Sequence, residues 1–314
     1  MKPANGILVV DKPAGWTSHD VVAKLRGIYG TKRIGHGGTL DPMATGVLPV
    51  FIGRATRAAE FCENAEKEYI AGLKPGVVTD TQDITGNIIS DNTDMKITSD
   101  DIQAVLPRFT GAQKQIPPMY SAVKRDGRKL YELARRGIEV PREPRDIVIS
   151  VLELLPAGRF NDGLFTAGSD EFTLRIVCSK GTYIRTLCND IGEALGCGAV
   201  MSALRRTRAG VFTLDSSYCM RGRGTVPPPR GAEEPSPCPA LPPLLSVDTL
   251  FNKHPAITID DESVRKVKNG MQLNIKNTEP GRYRVYAPDG EFLLLGEVKS
   301  GILKTIKSFY EVDR

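Results

Sequence analysis

A large domain that mixes strands with helices, followed by a small β-rich domain, is the fold the sequence predicts. Three observations carry that expectation. Short apolar runs bounded by Gly or Pro recur through the first two thirds of the chain, as buried strands require. Segments with helical spacing and recognisable caps lie between them. After a proline-rich stretch, only short runs separated by turns remain. A length of 314 residues suits one large domain plus a small one.

Gly6-Ile-Leu-Val-Val-Asp11 reads as a buried strand stopped by the turn signal Lys12-Pro13. The next helix is capped by Thr17 or Ser18, sets Val21, Val22, Leu25, Ile28 and Tyr29 on one face, and ends at Gly30. A glycine-rich stretch, Gly35-His-Gly-Gly-Thr-Leu-Asp-Pro42, leads into the apolar run 46–53 and an alanine-rich helical segment at 54–64. Residues 68–77 read as a strand, and 99–109 and 128–136 as short helices, the second ended by Gly137. Strand spacing returns at 146–155 and 172–178, where Phe172, Leu174, Ile176 and Cys178 share a face. Residues 182–195 are helical and closed by Gly196. Residues 219–245 hold eight of the 22 prolines, which bars a helix or strand interior, so 219–243 reads as an exposed insertion or linker. Residues 256–259, 283–287 and 292–298 are short strands, with a turn at Pro288-Asp-Gly290. The boundaries that follow are a domain over 1–250 and a second over 251–314.

Composition excludes several classes. No apolar run approaches the roughly 18 residues of a membrane helix, so no membrane partner is expected. The start runs directly into a strand and leaves no room for a secretory signal, which predicts the cytoplasm. Six cysteines without a C-x-x-C pair read as reduced, mostly buried thiols, and three scattered histidines complete no zinc pattern, so no metal is expected. The net charge of +5 hides polarisation. Residues 1–40, 120–145 and 175–208 each net +4, whereas 60–103 net −7. Three basic segments point to a polyanionic partner.

The densest chemistry lies at 35–46. It contains no P-loop, its G-x-G lacks the third glycine of a dinucleotide loop, and no G-x-S-x-G supplies a nucleophile for an oxyanion loop at His36-Gly37-Gly38. Asp80-Thr-Gln-Asp83 lacks the spacing of a calcium loop and reads as a turn. Asp41 remains, either a turn carboxylate or one presented to a bulky substrate by a glycine-rich backbone. Such a carboxylate can attack an anomeric carbon or take a proton. Arg185 could hold it in a bidentate pair or lie on the surface, and Tyr69 and Tyr183 could stack on a base or pack in the core.

Gly35-His-Gly-Gly-Thr-Leu-Asp-Pro-Met-Ala-Thr-Gly-Val-Leu-Pro49 resembles the catalytic motif of the tRNA pseudouridine synthase B family, which isomerises uridine 55 in the T arm of tRNA. Lys67-Glu-Tyr69, Thr79-Asp-Thr-Gln-Asp83, Ile116-Pro-Pro-Met-Tyr-Ser-Ala-Val123, Ser179-Lys-Gly-Thr-Tyr-Ile-Arg185 and Leu204-Arg-Arg206 follow in the family's order. The likeness covers about residues 5–215 well. It is weaker over 246–314, which is similar to the family's small PUA-type RNA-binding domain, and 219–243 depart from the pattern.

The resemblance implies an α+β, mixed-sheet catalytic domain with a PUA-like C-terminal domain, working without cofactor or metal. By it, Asp41 is the catalytic carboxylate, acting as nucleophile on C1′ or by taking the C2′ proton, and Arg185 pairs with it. Tyr69 stacks on the flipped uracil and is a candidate to move a proton at C5. Leu204 lines the base pocket, and His36 contacts RNA nearby. Tyr183 and Arg205, with Lys124, Arg128 and Lys129 of the basic insertion 120–145, are expected RNA contacts. The implied partner is the tRNA T arm, bound by a stand-alone enzyme without guide RNA; a monomer is expected, though not from the resemblance. A protein that binds and remodels tRNA without turnover is the rival from another class.

Overall fold

The computed structural model describes every residue except 1–3, 126, 157–159, 161–164, 166–167, 169, 221–242, 276 and 312–314. The proline-rich expectation for 219–243 therefore lies almost wholly outside the described residues. Strands β1 (Gly6–Lys12), β2 (Ile34–His36), β3 (Thr45–Ile52), β4 (Lys67–Pro75), β5 (Gly111–Gln115), β6 (Arg145–Leu155), β7 (Phe172–Cys178), β8 (Ala199–Ala209), β9 (Phe212–Thr213) and β10 (Tyr218–Cys219) form one sheet. Its order is β10-β1-β3-β8-β4-β7-β6-β5, with β2 on β3 and β9 on β8. The β1–β10 and β3–β8 pairs are parallel and the rest antiparallel, so the sheet is mixed.

Strands β1 and β3 are covered on both faces. Leu8, Val10, Leu48, Val50 and Ile52 face one core, and Ile7, Val9, Val47 and Phe51 face another. Double burial explains why both read as unbroken apolar runs. Strand β7 is covered mainly on one face, although Val177 on the other is also buried. Leu174, Ile176 and Cys178 enter the first core with Phe172 packed beside them, while Arg175 bridges Glu68 and Glu153 on the other side.

Helices α1 (Ser18–Tyr29), α2 (Ser99–Val105) and α3 (Ile184–Leu195) close the first core. Thr17 caps α1 in a capping box with Asp20, and Gly30 ends it in the left-handed conformation. Ile28, expected on the apolar face, is 48% exposed, whereas Val21, Val22 and Leu25 of that face are buried and Tyr29 packs half-buried against the core. The segment expected as one helix at 54–64 is a 3-10 turn, Gly53–Ala58, followed by a short helix, Ala59–Glu63. Pro107 similarly converts the end of 99–109 into a 3-10 turn, Leu106–Phe109. The strand expected at 68–77 breaks after Pro75, and Val77–Thr79 pairs instead with Ile88–Asp91. The helix expected at 128–136 shrinks to Leu130–Ala134, because Arg128–Lys129 pairs with Lys124–Arg125 as a ribbon. Sequence reading missed β5 and β8, although β8 lies in the middle of the sheet.

The C-terminal part is a five-stranded sheet of β11 (Ala256–Thr258), β12 (Leu273–Asn274), β13 (Gly281–Tyr286), β14 (Phe292–Lys299) and β15 (Ile302–Ser308), with helix α4 (Asp261–Lys268) against it. It is β-rich, as expected, with β12, β15 and α4 added to the predicted elements. It meets the large sheet through the second core, where Phe61, Phe251, Phe292 and Phe309 cluster with centroids 5.1–6.0 Å apart. Among the described residues no helix is long and apolar enough to cross a membrane. Cys62, Cys178, Cys188 and Cys197 are buried free thiols, and Cys219 is an exposed one.

Candidate active site

The loop from β2 to β3 carries Asp41, and neighbouring segments hold it at several points. Ser18, buried at the start of α1, accepts from the Leu40 amide at 2.9 Å and donates to the Leu40 carbonyl at 3.2 Å. Lys12, fully buried at the end of β1, donates to the carbonyls of Pro13, Trp16 and Pro42 at 2.9, 2.6 and 3.2 Å. Burial lowers its pKa to about 8, against the pull of Asp41. The loop rejoins the sheet at Gly46, where φ is +106° and a Cβ would sit 2.2 Å from the Arg206 carbonyl oxygen, so only glycine fits.

Arg185 meets Asp41 from the first turn of α3. Its Nε lies 2.9 Å from Asp41 Oδ2, its Nη1 donates to the Thr81 carbonyl at 2.9 Å and its Nη2 to the Tyr120 carbonyl at 2.9 Å. The contact is therefore single rather than the bidentate one expected, because both terminal nitrogens are used on backbone. Asp83 stands 3.7 Å from Nη1. The Asp80–Asp83 segment is a turn, with Gln82 at φ +63° and Asp83 accepting from the Thr81 hydroxyl and the Thr85 amide at 2.9 and 3.0 Å. Gln115 fixes the start of α3 by bonding both the amide and the carbonyl of Tyr183, at 2.8 and 3.0 Å. The Arg185 side chain is 6% exposed and that of Asp41 35%, so the carboxylate faces the open side of the pair.

Strand β8 supplies the floor. Arg206, 1% exposed, donates to the carbonyls of Val47, Gly38 and Thr39 at 2.7, 3.0 and 3.3 Å. Tyr69 of β4 stands opposite Arg206 in register, buried. Burial raises the Tyr69 phenol, and Arg206 opposes that rise. Lys67, also buried, donates to the carbonyls of Glu63 and Ala65. Three buried cations held by carbonyls make the floor electropositive, in a medium that screens poorly. Burial, helped by Arg206 and His19, pushes the His36 imidazole down, and its buried Nδ1 has no protein partner. Leu204 is buried beside this floor at 7% exposure.

The expected residues do not all converge. Asp41, Arg185 and Tyr69 come together. Arg205, expected as an RNA contact, is 3% exposed and pairs with Asp11 through two bonds of 2.8 Å, because β8 turns it inward between strands. Tyr183 is half-buried. Lys124 and Arg128 are exposed on the ribbon, where Arg125 donates to the Pro141 carbonyl, and Lys129 lies 5.4 Å over the Tyr131 ring. Sequence reading gave Lys12, Ser18, Gln115 and Arg206 no place at the site, and named Ser18 only as an alternative cap of α1. The adjacent pair Arg205-Arg206 in an otherwise strand-compatible segment was the one signal for the last.

Residues 26–184 match the model of the TruB family pseudouridylate synthase N-terminal domain, and 185–221 match that of the tRNA pseudouridylate synthase B C-terminal domain. Proteins named tRNA pseudouridine synthase B are similar along nearly the whole chain. The one from Dechloromonas aromatica is 40% identical, covering 96% of this chain and 93% of the relative. That from Syntrophomonas wolfei is 41% identical, covering 94% of each. Among solved structures, a chain of a Cbf5-Nop10-Gar1 complex is 25% identical with a TM-score of 0.65, over 98% of this chain and 85% of that one. The mixed sheet and these matches define a pseudouridine synthase, an isomerase. Within that class the chain belongs to the TruB family.

Proposed function

We propose that the chain is a stand-alone tRNA pseudouridine synthase that converts uridine 55 of the T arm to pseudouridine, with Asp41 as its catalytic carboxylate. The observation that carries this reading is the ion pair of 2.9 Å between buried Arg185 and half-exposed Asp41, above an electropositive floor with Tyr69 in it. The names of its relatives support tRNA as the substrate.

The reaction breaks the C1′–N1 bond, turns the uracil and forms a C1′–C5 bond, while C5 loses a proton and N1 gains one. The target base is stacked in folded tRNA, so it has to be flipped out at a cost of a few kcal/mol. Phosphate contacts from exposed Lys124 and Arg128 on the 120–145 insertion offset that cost. Arg185 holds the Asp41 carboxylate towards the ribose, where it attacks C1′ or takes the C2′ proton. Tyr69 stacks on the uracil and is the group nearest to hand for the C5 proton, Leu204 bounds the base, and His36 contacts RNA at the rim. Tyr183 and Lys129 join the RNA-facing set, whereas Arg205 contributes by holding Asp11. The protein acts in the cytoplasm as a monomer without guide RNA.

Release of tritium from a tRNA transcript labelled at uracil C5 tests the reading. The wild-type protein alone is expected to release it, from a single T-loop uridine, and Asp41→Ala to bind the RNA without release. Release by Asp41→Ala removes the carboxylate from the mechanism. No release by either, with binding intact, favours a tRNA-binding protein without turnover.

A further inference from the structure

Asp41 sits in a loop whose two ends meet on one side chain. Gly38 and Thr39 precede it, Val47 follows it, and all three carbonyls accept from the Arg206 guanidinium. That guanidinium is 1% exposed, so water does not compete for the carbonyls. It forms no ion pair among the described residues, so its orientation is set by the loop rather than by a carboxylate. A planar fork with donors on three nitrogens can span both ends of a loop, which the point charge of a lysine cannot. Gly46, packed on the Arg206 backbone, ties the same strand to the same loop a second time.

We propose that Arg206 is a positioning residue that clasps the neck of the Asp41 loop, so that the carboxylate meets the substrate in one orientation, fixed from one side by Arg206 and from the other by Arg185. The inference rests on the reading of Asp41 as the catalytic carboxylate. Arg206 itself stays buried and touches no substrate. Its loss therefore lowers the rate of the chemical step while leaving RNA binding to the exposed basic residues.

Single-turnover tritium release is measured for Arg206→Lys and Gly38→Ala beside the wild type and Asp41→Ala, with active sites counted by RNA-binding stoichiometry and folding followed by thermal unfolding. Gly38→Ala leaves the arginine in place, and its Cβ meets Arg206 Nη1 only at an ordinary contact of 3.6 Å, but φ is +112° there, which a side chain strains, so the Gly38–Thr39 peptide shifts away from the fork. Both variants are expected to react about 100-fold more slowly per bound RNA, as a misplacement near 1 Å does, with unchanged affinity. Wild-type rates, or losses of rate and affinity in step, overturn the clasp and leave Arg206 a structural residue. Should Arg206→Lys fail to fold, the rate of Gly38→Ala decides alone. Turnover by Asp41→Ala would instead overturn the reading beneath, and the clasp with it. An inactive Asp41→Ala beside fully active Arg206→Lys and Gly38→Ala would remove the clasp only.

Discussion

Beneath Asp41 the chain buries cations; beneath its C-terminal sheet it buries aromatic rings. Lys12, Lys67 and Arg206 are held by backbone carbonyls of the surrounding loops. Phe251 instead lies among Phe61, Phe292 and Phe309, with ring centroids 5.1–6.0 Å away. Burying a cation is costly, and its gain depends on direction and distance, so the first region has one good arrangement. Burying a ring is favourable over a range of geometries, so the second region supplies adhesion. Shape specificity and stability are therefore lodged in different parts of one molecule.

The sharpest way to break the comparison is Phe251→Ala. It should lower the unfolding free energy by about 3–5 kcal/mol in urea titrations. Turnover per folded molecule should stay near wild type, since the ring belongs to the second core, whereas Leu40 beside Asp41 belongs to the first. A large loss of turnover in the folded fraction would mean that the two regions are not separable.

Lys12 tests the other region through pH. Its pKa is about 8 in the folded protein and near 10.5 when exposed, so between those values the unfolded chain holds a proton that the native state has released. Stability then rises with pH. The burial cost of the charge is fully present below pH 8, relieved through that window and gone above 10.5. Relative to Lys12→Met, which lacks the titrating group, the wild type should gain about 3 kcal/mol across the window. A constant difference between the two proteins would show that the lysine is not buried as a cation.

Smaller effects are expected where the C-terminal sheet meets the large one through polar groups. Arg57 donates to the Ser308 carbonyl at 3.2 Å, and Arg57→Ala should cost about 1 kcal/mol in thermal unfolding. Lys307 and Glu60 pair at 2.6 Å with side chains 35% and 54% exposed. Lys307→Ala should change stability by no more than about 0.5 kcal/mol, a difference that fades in high salt. An effect rivalling that of Phe251→Ala would contradict the division between rings that adhere and charges that only decorate the seam.

Where the determinants are local, the fold is readable from the chain. Thr17 and Gly30 bound α1, and Gly196 ends α3, because caps act within a few residues. Strands β1 and β3 are readable because burial on both faces leaves no polar position to break the run. Strand β8 is not readable, since Arg205, Arg206 and Arg208 interrupt its apolar pattern. Their partners, Asp11, the carbonyls of 38–47 and Glu68, come from distant segments, and only those make a charged central strand tolerable. Ile28 fails in the opposite sense. Helical spacing puts it on the apolar face almost in line with buried Val21, but it lies in the last turn of α1 and stays exposed.

By itself the sequence determined the caps, the doubly buried strands, the glycine-rich loop and the carboxylate at its centre, because short-range sterics and apolar patterning decide those. Only the tertiary structure decided which cation meets which acceptor: that Arg185 reaches Asp41 through Nε alone, that Arg206 turns to the loop and that Arg205 turns to Asp11. The reason is physical. Adjacent arginines carry the same charge and the same donors, and what separates their roles is the set of carbonyls and carboxylates that distant segments bring within 3.3 Å of each.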